Sequence, residues 1–189
     1  MMKSSRWMSA ALAICLTAGI ASAGEYKVTG AHNCCGACSK AISEALTSVE
    51  GVSDIVAKPK TTEITFSAPD DKTARKAVNK LGFAGFHGEV SGGKNVKYNE
   101  KAVCVEAGKV DKLTLVGVHN CCPGCAKAVD AAIEKVEGVK GHKYTKNKKG
   151  VIVSGNFDAL ALVNSLNEAG FHVRKPLSKE EREKKKKAE

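Results

Sequence analysis

Aromatic residues are scarce in this chain and make up 5% of its 189 residues. Proteins that bind single-stranded nucleic acid usually combine a basic groove with aromatic side chains on which the bases stack. The formal net charge of +10 is not accompanied by such a stacking platform, so no nucleic acid is expected as a partner. A basic surface of this kind can still attract acidic proteins or anionic lipid headgroups.

Recognisable catalytic groupings are also missing from the sequence. It contains no Ser-His-Asp set, no paired acidic residues of the kind used in general acid-base catalysis, and no glycine-rich phosphate loop. We therefore expect a binding protein and not an enzyme.

Long apolar runs are confined to the N-terminus. Lys3 and Arg6 precede an apolar run over residues 7–20, and Ala21-Ser22-Ala23 has the small-x-small pattern of a signal-peptidase site. The run is shorter than the ~20 residues that span a bilayer, which makes an uncleaved anchor the less favoured alternative. We predict a cleaved signal peptide over residues 1–23, a periplasmic or secreted location, and no stable membrane insertion after cleavage.

Cysteine, in contrast, is abundant and grouped. Of eight cysteines, Cys15 lies in the predicted signal peptide, and the remaining seven form two groups of three with Cys104 between them. The string His-Asn-Cys-Cys begins at His32 and returns at His119. Seven is an odd number, so internal disulfides cannot pair every cysteine of an exported chain. At least one sulfur must be free, bound to a metal, or paired with another molecule.

The cysteine strings belong to an internal duplication. Residues 30–52 and 117–139 share 13 identities in 23 positions without a gap, and Ala-Gly-Phe-His recurs at 84–87 and 169–172. Hydrophobic periodicity predicts the order strand, helix, strand, strand, helix, strand in each copy. The expected class is α+β, with two ferredoxin-like βαββαβ sandwiches in tandem after the signal peptide. The predicted divisions are domains at 24–91 and 112–176, a linker at 92–111 and a charged, disordered tail at 177–189.

The helices can be placed from residues that recur at intervals of three and four. The first helix of each copy should contain Cys38 or Cys125 in its opening turn. The second helices should turn inward the residues Ala74, Ala77, Val78 and Leu81 in one copy, and Ala159, Leu162, Val163 and Leu166 in the other.

A cysteine near a helix N-terminus is favoured as the thiolate, because unpaired N–H groups and the helix dipole stabilise negative charge there. Two sulfurs at i and i+3 can converge on one ion where the loop turns into the helix. This spacing pairs Cys35 with Cys38 and Cys122 with Cys125. Thiolates select soft ions such as Cu(I) and Zn(II) over Mg(II) or Ca(II).

A strand, a Cys-x-x-Cys loop and a helix within a βαββαβ unit resemble the heavy-metal-associated domain family. The resemblance covers residues 25–90 and 112–174. It implies that Cys35 and Cys38 hold a soft ion in one copy, and that Cys122 and Cys125 do so in the other. It also implies transfer of the ion to a donor or acceptor protein by thiol exchange. We therefore expect an exported carrier, chaperone or scavenger of Cu(I), with Zn(II) or Hg(II) as alternatives.

The loops depart from that family pattern. Each has gained one residue and lacks the usual methionine, while Cys34 and His32, or Cys121 and His119, have been added. These four residues can complete three- or four-coordinate sites, which suit tetrahedral zinc as well as trigonal Cu(I). The sequence predicts one such site in each copy.

Two alternatives use the same cysteines. The first is thiol-disulfide redox chemistry, since Cys-x-x-Cys at a helix N-terminus is also a redox motif, although each copy is short for a thioredoxin-like domain. The second is a set of structural disulfides, which adjacent cysteines in a tight loop satisfy poorly. His87 and His172, which follow a Gly-Phe pair in each copy, are either distant ligands or hydrogen-bonded strand residues. The role of Cys104 stays open.

Overall fold

The computed structural model describes residues 23–99, 103–147 and 149–178. Within these residues the chain is an α+β protein with four helices and two antiparallel sheets, an arrangement compatible with ferredoxin-like folds. The elements in chain order are β1 (Gly24–Thr29), α1 (Gly36–Thr47), β2 (Ser53–Ala57), β3 (Glu63–Ala68), α2 (Asp71–Phe83), β4 (Glu89–Ser91), β5 (Lys109–Val116), α3 (Pro123–Glu134), β6 (Val139–Tyr144), β7 (Gly150–Asp158) and α4 (Ala159–Glu168).

The N-terminal half, from β1 to β4, contains the four-stranded sheet in the order β2-β3-β1-β4. Alternating residues of its two central strands are buried, and Val28 in β1 pairs with Ile64 in β3. Helices α1 and α2 pack against each other, and they contact β2 and β3 respectively. The period-two burial of the strands therefore gives the helices an apolar surface to cover.

The C-terminal half, from β5 to α4, contains a three-stranded sheet in the order β5-β7-β6. Where the first sheet has β4, the second has a single bridge between Val116 and Arg174, so the fourth strand expected from His172 onward does not form within the described residues. Pro176 explains why the ladder stops beyond this bridge, because it has no N–H to donate further along β5.

The predicted inward faces of the second helices are confirmed. The residues expected to face inward in α2 and α4 are all buried. In the first helices, Cys38 and Cys125 are the third residues of α1 and α3, and both are fully buried. The three-and-four periodicity thus located the helices and their apolar faces, because every helix packs one side against its sheet.

The two halves meet along a seam built from the repeated Ala-Gly-Phe-His segments. Phe86 and Phe171 form an antiparallel bridge, and both rings are fully buried. The backbone N–H of His87 donates to the Gly170 carbonyl at 3.0 Å, and the N–H of His172 donates to the Gly85 carbonyl at 3.1 Å. These reciprocal bonds bring the ends of α2 and α4 together and, with them, the two cysteine loops.

The segment predicted as a linker packs against this seam. Tyr98 is buried, with its ring 4.8 Å from that of His87 and 5.2 Å from that of His172. The Val103 carbonyl accepts a hydrogen bond of 2.9 Å from the Lys175 N–H. The alternating residues around Cys104 form no strand in residues 103–108, and β5 begins at Lys109, three residues before the predicted boundary. Of the predicted signal peptide at 1–23 and the predicted tail at 177–189, residues 1–22 and 179–189 lie outside the described residues.

Candidate metal centre

Each cysteine string lies between the first strand and the first helix of its half. Cys35 and Cys122 are the N-cap residues of α1 and α3, with extended backbones at φ −153° in both cases. Cys34 and Cys121 precede the caps, and Cys38 and Cys125 follow within the first turn. The duplicated sequence thus produces the same local structure twice, with three sulfurs around each helix N-terminus.

The structure brings the six sulfurs of both loops into one cluster, although the sequence predicted a separate site in each copy. Within the N-terminal loop, Cys38 Sγ lies 3.7 Å from Cys34 Sγ and 3.6 Å from Cys35 Sγ. The matching distances around Cys125 are 3.7 Å to Cys121 and 3.6 Å to Cys122. The geometry of one loop is therefore repeated closely by the other.

Contacts between the loops are equally short. Cys38 Sγ and Cys125 Sγ are 3.7 Å apart at the buried centre of the cluster. The remaining contacts between loops join Cys34 to Cys122 at 3.5 Å, Cys34 to Cys125 at 3.7 Å, Cys35 to Cys121 at 3.8 Å and Cys38 to Cys121 at 3.6 Å. All six cysteines are free thiols. We refer to these six side chains as the sulfur cluster.

The two predicted histidines lie at the cluster and are held by the opposite half. The His32 ring stacks on Phe171 with centroids 4.5 Å apart, and the His119 ring packs on Phe86 at 4.3 Å. The Nε2 atoms of both histidines are buried and have no hydrogen-bond partner among the described residues. Each imidazole is thus fixed in position with one ring nitrogen that could act as a metal ligand.

Three overlapping groups of side chains have ligand atoms within 4.8 Å of one another. They are Cys38, His119, Cys121 and Cys125; His32, Cys34 and Cys125; and Cys34, Cys35 and Cys122. Every predicted site residue belongs to at least one group, and each group takes ligands from both halves. The cysteine and histidine groups could therefore hold a metal ion, whereas among the described residues no such group includes His87 or His172.

Electrostatics differ between sulfurs of the same loop. The pKa of Cys35 is lowered, chiefly because the backbone N–H of Cys38 at the start of α1 favours the thiolate. Burial raises the pKa of Cys34, and the thiols of Cys122, Cys125 and Cys38 add to this effect. Burial also raises the pKa of Cys121. Deprotonation of the whole cluster is therefore unfavourable unless cations arrive with it.

The histidines are held in the neutral form that binds metals. Burial lowers the pKa of His32, and burial with the nearby His32 lowers the pKa of His119 to about 4. At neutral pH neither imidazole has to lose a proton before it can act as a ligand.

Sequence analysis did not identify Asn33 as the residue that braces the N-terminal loop. Its side chain is 3% exposed, donates to the Lys58 carbonyl at 2.8 Å and accepts from the Ser39 hydroxyl at 2.9 Å. The C-terminal loop has Asn120 at the matching position, but Ala126 replaces Ser39 and cannot donate to it. The two loops therefore carry the same sulfurs on unequally supported backbones.

Comparison with known proteins gives one partial similarity. No model of a known protein family matches the chain. Over 58 residues, or 31% of its length, the chain is 38% identical to heavy metal-associated isoprenylated plant protein 37 of Arabidopsis thaliana. The chain spans 16% of that relative. This similarity and the cysteine groups point to metal binding, and none of the described helices is long and apolar enough to cross a membrane.

Proposed function

We propose that this chain is an exported soft-metal-ion binding protein that acts as a carrier, chaperone or scavenger of Cu(I). Two heavy-metal-associated domains in tandem would hold the ion between their cysteine loops. The observation that carries the proposal is the convergence of six thiols from both loops, at 3.5–3.8 Å from their neighbours. Exported proteins meet oxidising conditions, so a set of reduced, clustered cysteines needs a role that protects it, and metal binding provides one.

The donor set favours a soft ion. Sulfur ligands select Cu(I), Zn(II) and related ions, and the cluster offers no carboxylate that a hard ion would prefer. Two of the three ligand groups have three members, which suits trigonal Cu(I). The group of Cys38, His119, Cys121 and Cys125 could form a tetrahedral zinc site, so Zn(II) is the competing ion.

Distances within the cluster agree with ligands of a common ion. With metal–sulfur bonds of about 2.3 Å, sulfurs around a tetrahedral ion lie about 3.8 Å apart, and those around a trigonal ion about 4.0 Å. The observed separations of 3.5–3.8 Å need only a small expansion to reach either value. The thiols are therefore already arranged to bind, which limits the reorganisation that loading requires.

Competitive titration of the reduced, purified chain under anaerobic conditions tests the proposal. Cu(I) should be retained against a Cu(I) chelator, and Zn(II) should be displaced by Cu(I). The double variant Cys38→Ala, Cys125→Ala should bind Cu(I) about 100-fold more weakly or worse, because both central sulfurs are lost. The matched control is Cys104→Ala, an exposed cysteine outside the two loops, which should bind as the wild type does.

A second pair covers the case in which the buried replacements unfold the chain. Cys35→Ser with Cys122→Ser changes two half-buried helix caps and should also weaken binding, with circular dichroism confirming the fold. Unchanged Cu(I) affinity in this folded variant would contradict the proposal. Reduction of insulin much faster than by dithiothreitol alone would instead support the thiol-disulfide alternative.

A further inference from the structure

The sulfur cluster is larger than one ion requires. A Cu(I) ion takes two or three thiolates and a zinc ion takes four ligands, yet six thiols share this site. A single Cu(I) ion would leave at least three thiols of the cluster without a metal. The arrangement of the sulfurs shows how further ions would be held.

The six sulfurs divide into two triads that together use each sulfur once. The first triad is Cys34, Cys122 and Cys125, with edges of 3.5, 3.7 and 3.6 Å. The second is Cys121, Cys35 and Cys38, with edges of 3.8, 3.6 and 3.6 Å. Each triad takes two sulfurs from one loop and the third from the other, so the triads cross between the halves.

Pairs within a single loop are less suitable. A two-coordinate ion with bonds of about 2.3 Å would hold its sulfurs about 4.6 Å apart. In each loop the paired Cys-x-x-Cys sulfurs are separated by 3.6 Å, so a linear ion would force them apart by about 1 Å. Three sulfurs around one ion need an expansion of only a few tenths of an ångström, which favours the crossed triads over the separate pairs.

The triads are also joined to each other. Cys38 Sγ is 3.7 Å from both Cys34 and Cys125 of the first triad, and Cys121 Sγ is 3.7 Å from Cys125. These distances match those inside a triad, so the joining sulfurs can bridge two ions. The two histidines lie beside the joined triads: His32 groups with Cys34 and Cys125, and His119 groups with Cys38, Cys121 and Cys125.

Charge favours filling both triads. Two of the six thiols, Cys38 and Cys125, are fully buried, and separating charge from water there is costly unless it is compensated. Each Cu(I) ion that binds a triad displaces its three thiol protons to the solvent, and the three thiolates leave that triad with a net charge of −2. A second Cu(I) ion is attracted by this charge and can share a bridging sulfur that has already lost its proton. Binding of the first ion should therefore strengthen binding of the second.

We propose that the sulfur cluster binds at least two Cu(I) ions at once, in two crossed triads linked by bridging thiolates. This inference rests on the proposed function and adds to it the number of ions, their coordination and their cooperative loading. It predicts a polynuclear thiolate centre shared by both halves, in place of one independent ion in each.

Native mass spectrometry and copper-edge X-ray absorption of the Cu(I)-loaded chain test this inference. We expect two to four copper ions per chain, little singly loaded chain at low Cu(I), about three sulfurs per copper, and copper–copper scattering. Saturation at one ion, or two sulfurs per copper without copper–copper scattering, would overturn it while leaving the proposed function standing. Failure to retain Cu(I) against a chelator would instead defeat the proposed function itself.

The variant Cys34→Ser with Cys121→Ser sharpens the test. It removes from each triad the one sulfur that the opposite loop supplies, and it leaves both Cys-x-x-Cys pairs intact. Crossed triads predict a fall to two sulfurs per copper and loss of cooperativity and of copper–copper scattering. Independent two-coordinate Cys-x-x-Cys pairs predict no change, and that result would overturn the inference. If this variant does not fold, the copper–copper scattering of the wild-type chain remains the test. Cys104→Ser serves as the control.

Discussion

A methyl group added at Gly85 should separate the two cysteine loops. Gly85 has φ +94°, and a Cβ built there would lie 2.5 Å from the His119 backbone nitrogen and closer still to the Gly117 carbonyl oxygen. Real Cβ contacts below 3.0 Å are essentially absent, so the C-terminal loop would have to move by about 0.5 Å or more. Movement of that loop carries Cys121 and Cys122 away from the sulfurs of the other half.

Gly30 provides a matched control for this change. Its φ is +88°, close to that of Gly85, but a Cβ there would meet nothing within 4 Å. Both alanine variants therefore incur the cost of a left-handed backbone, about 1–2 kcal/mol. Only Gly85→Ala adds the backbone overlap, for which overpacking costs of about 1–3 kcal/mol are typical. The expected loss is about 1–2 kcal/mol for Gly30→Ala and about 2–5 kcal/mol for Gly85→Ala.

Urea unfolding of the reduced, metal-free chain measures these losses in the free energy of unfolding. A Cu(I) titration of the same samples should show unchanged cooperative loading for Gly30→Ala and weaker, non-cooperative loading for Gly85→Ala. Gly170, whose Cβ would overlap the His32 backbone nitrogen, should behave as Gly85 does. Equal stability and equal loading of Gly30→Ala and Gly85→Ala would refute the contact between the halves.

Two further predictions concern polar side chains outside the sulfur cluster. Burial, with the charges of His87 and Arg174, lowers the pKa of His172 to about 4. As the pH falls from about 6.5 to about 4, this histidine therefore gains a proton in the unfolded chain but not in the folded one, and the free energy of unfolding should decrease. Over that pH range the free energy of unfolding of His172→Asn, measured by urea unfolding, should fall by about 3 kcal/mol less than that of the wild type. Equal decreases would contradict the lowered pKa of His172. Asp130 accepts from Tyr144 at 2.7 Å and pairs with His142 at 2.8 Å, tying α3 to β6. Asp130→Ala should cost about 1–3 kcal/mol and Asp130→Asn clearly less, as measured by urea unfolding, and equal effects of the two would count against these bonds.

The sequence contained enough information to predict the local structure around the sulfurs. Periodicity located the helices, and the duplicated strings placed Cys38 and Cys125 in their opening turns, because both signals depend on residues close together in the chain. The inward faces of α2 and α4 followed in the same way. These features need no knowledge of how the two copies meet.

The shared cluster could not be predicted from those signals. It depends on reciprocal bonds between Gly85 and His172 and between Gly170 and His87, which join residues more than 80 positions apart. Periodicity within each copy carries no information on such contacts. One signal did point to them: the Ala-Gly-Phe-His segment recurs, and a segment present twice can pair with its own copy.

The position of the sulfurs on the seam has a consequence for the chain as a whole. Cys38 and Cys125 are 87 positions apart in sequence, and an ion held by sulfurs of both loops would tie these distant points together. For a crosslink that closes a loop of this size, the loss of entropy in the unfolded chain corresponds to about 4–5 kcal/mol. The bound ion would thus also crosslink the two halves, and its release would remove that constraint on their separation.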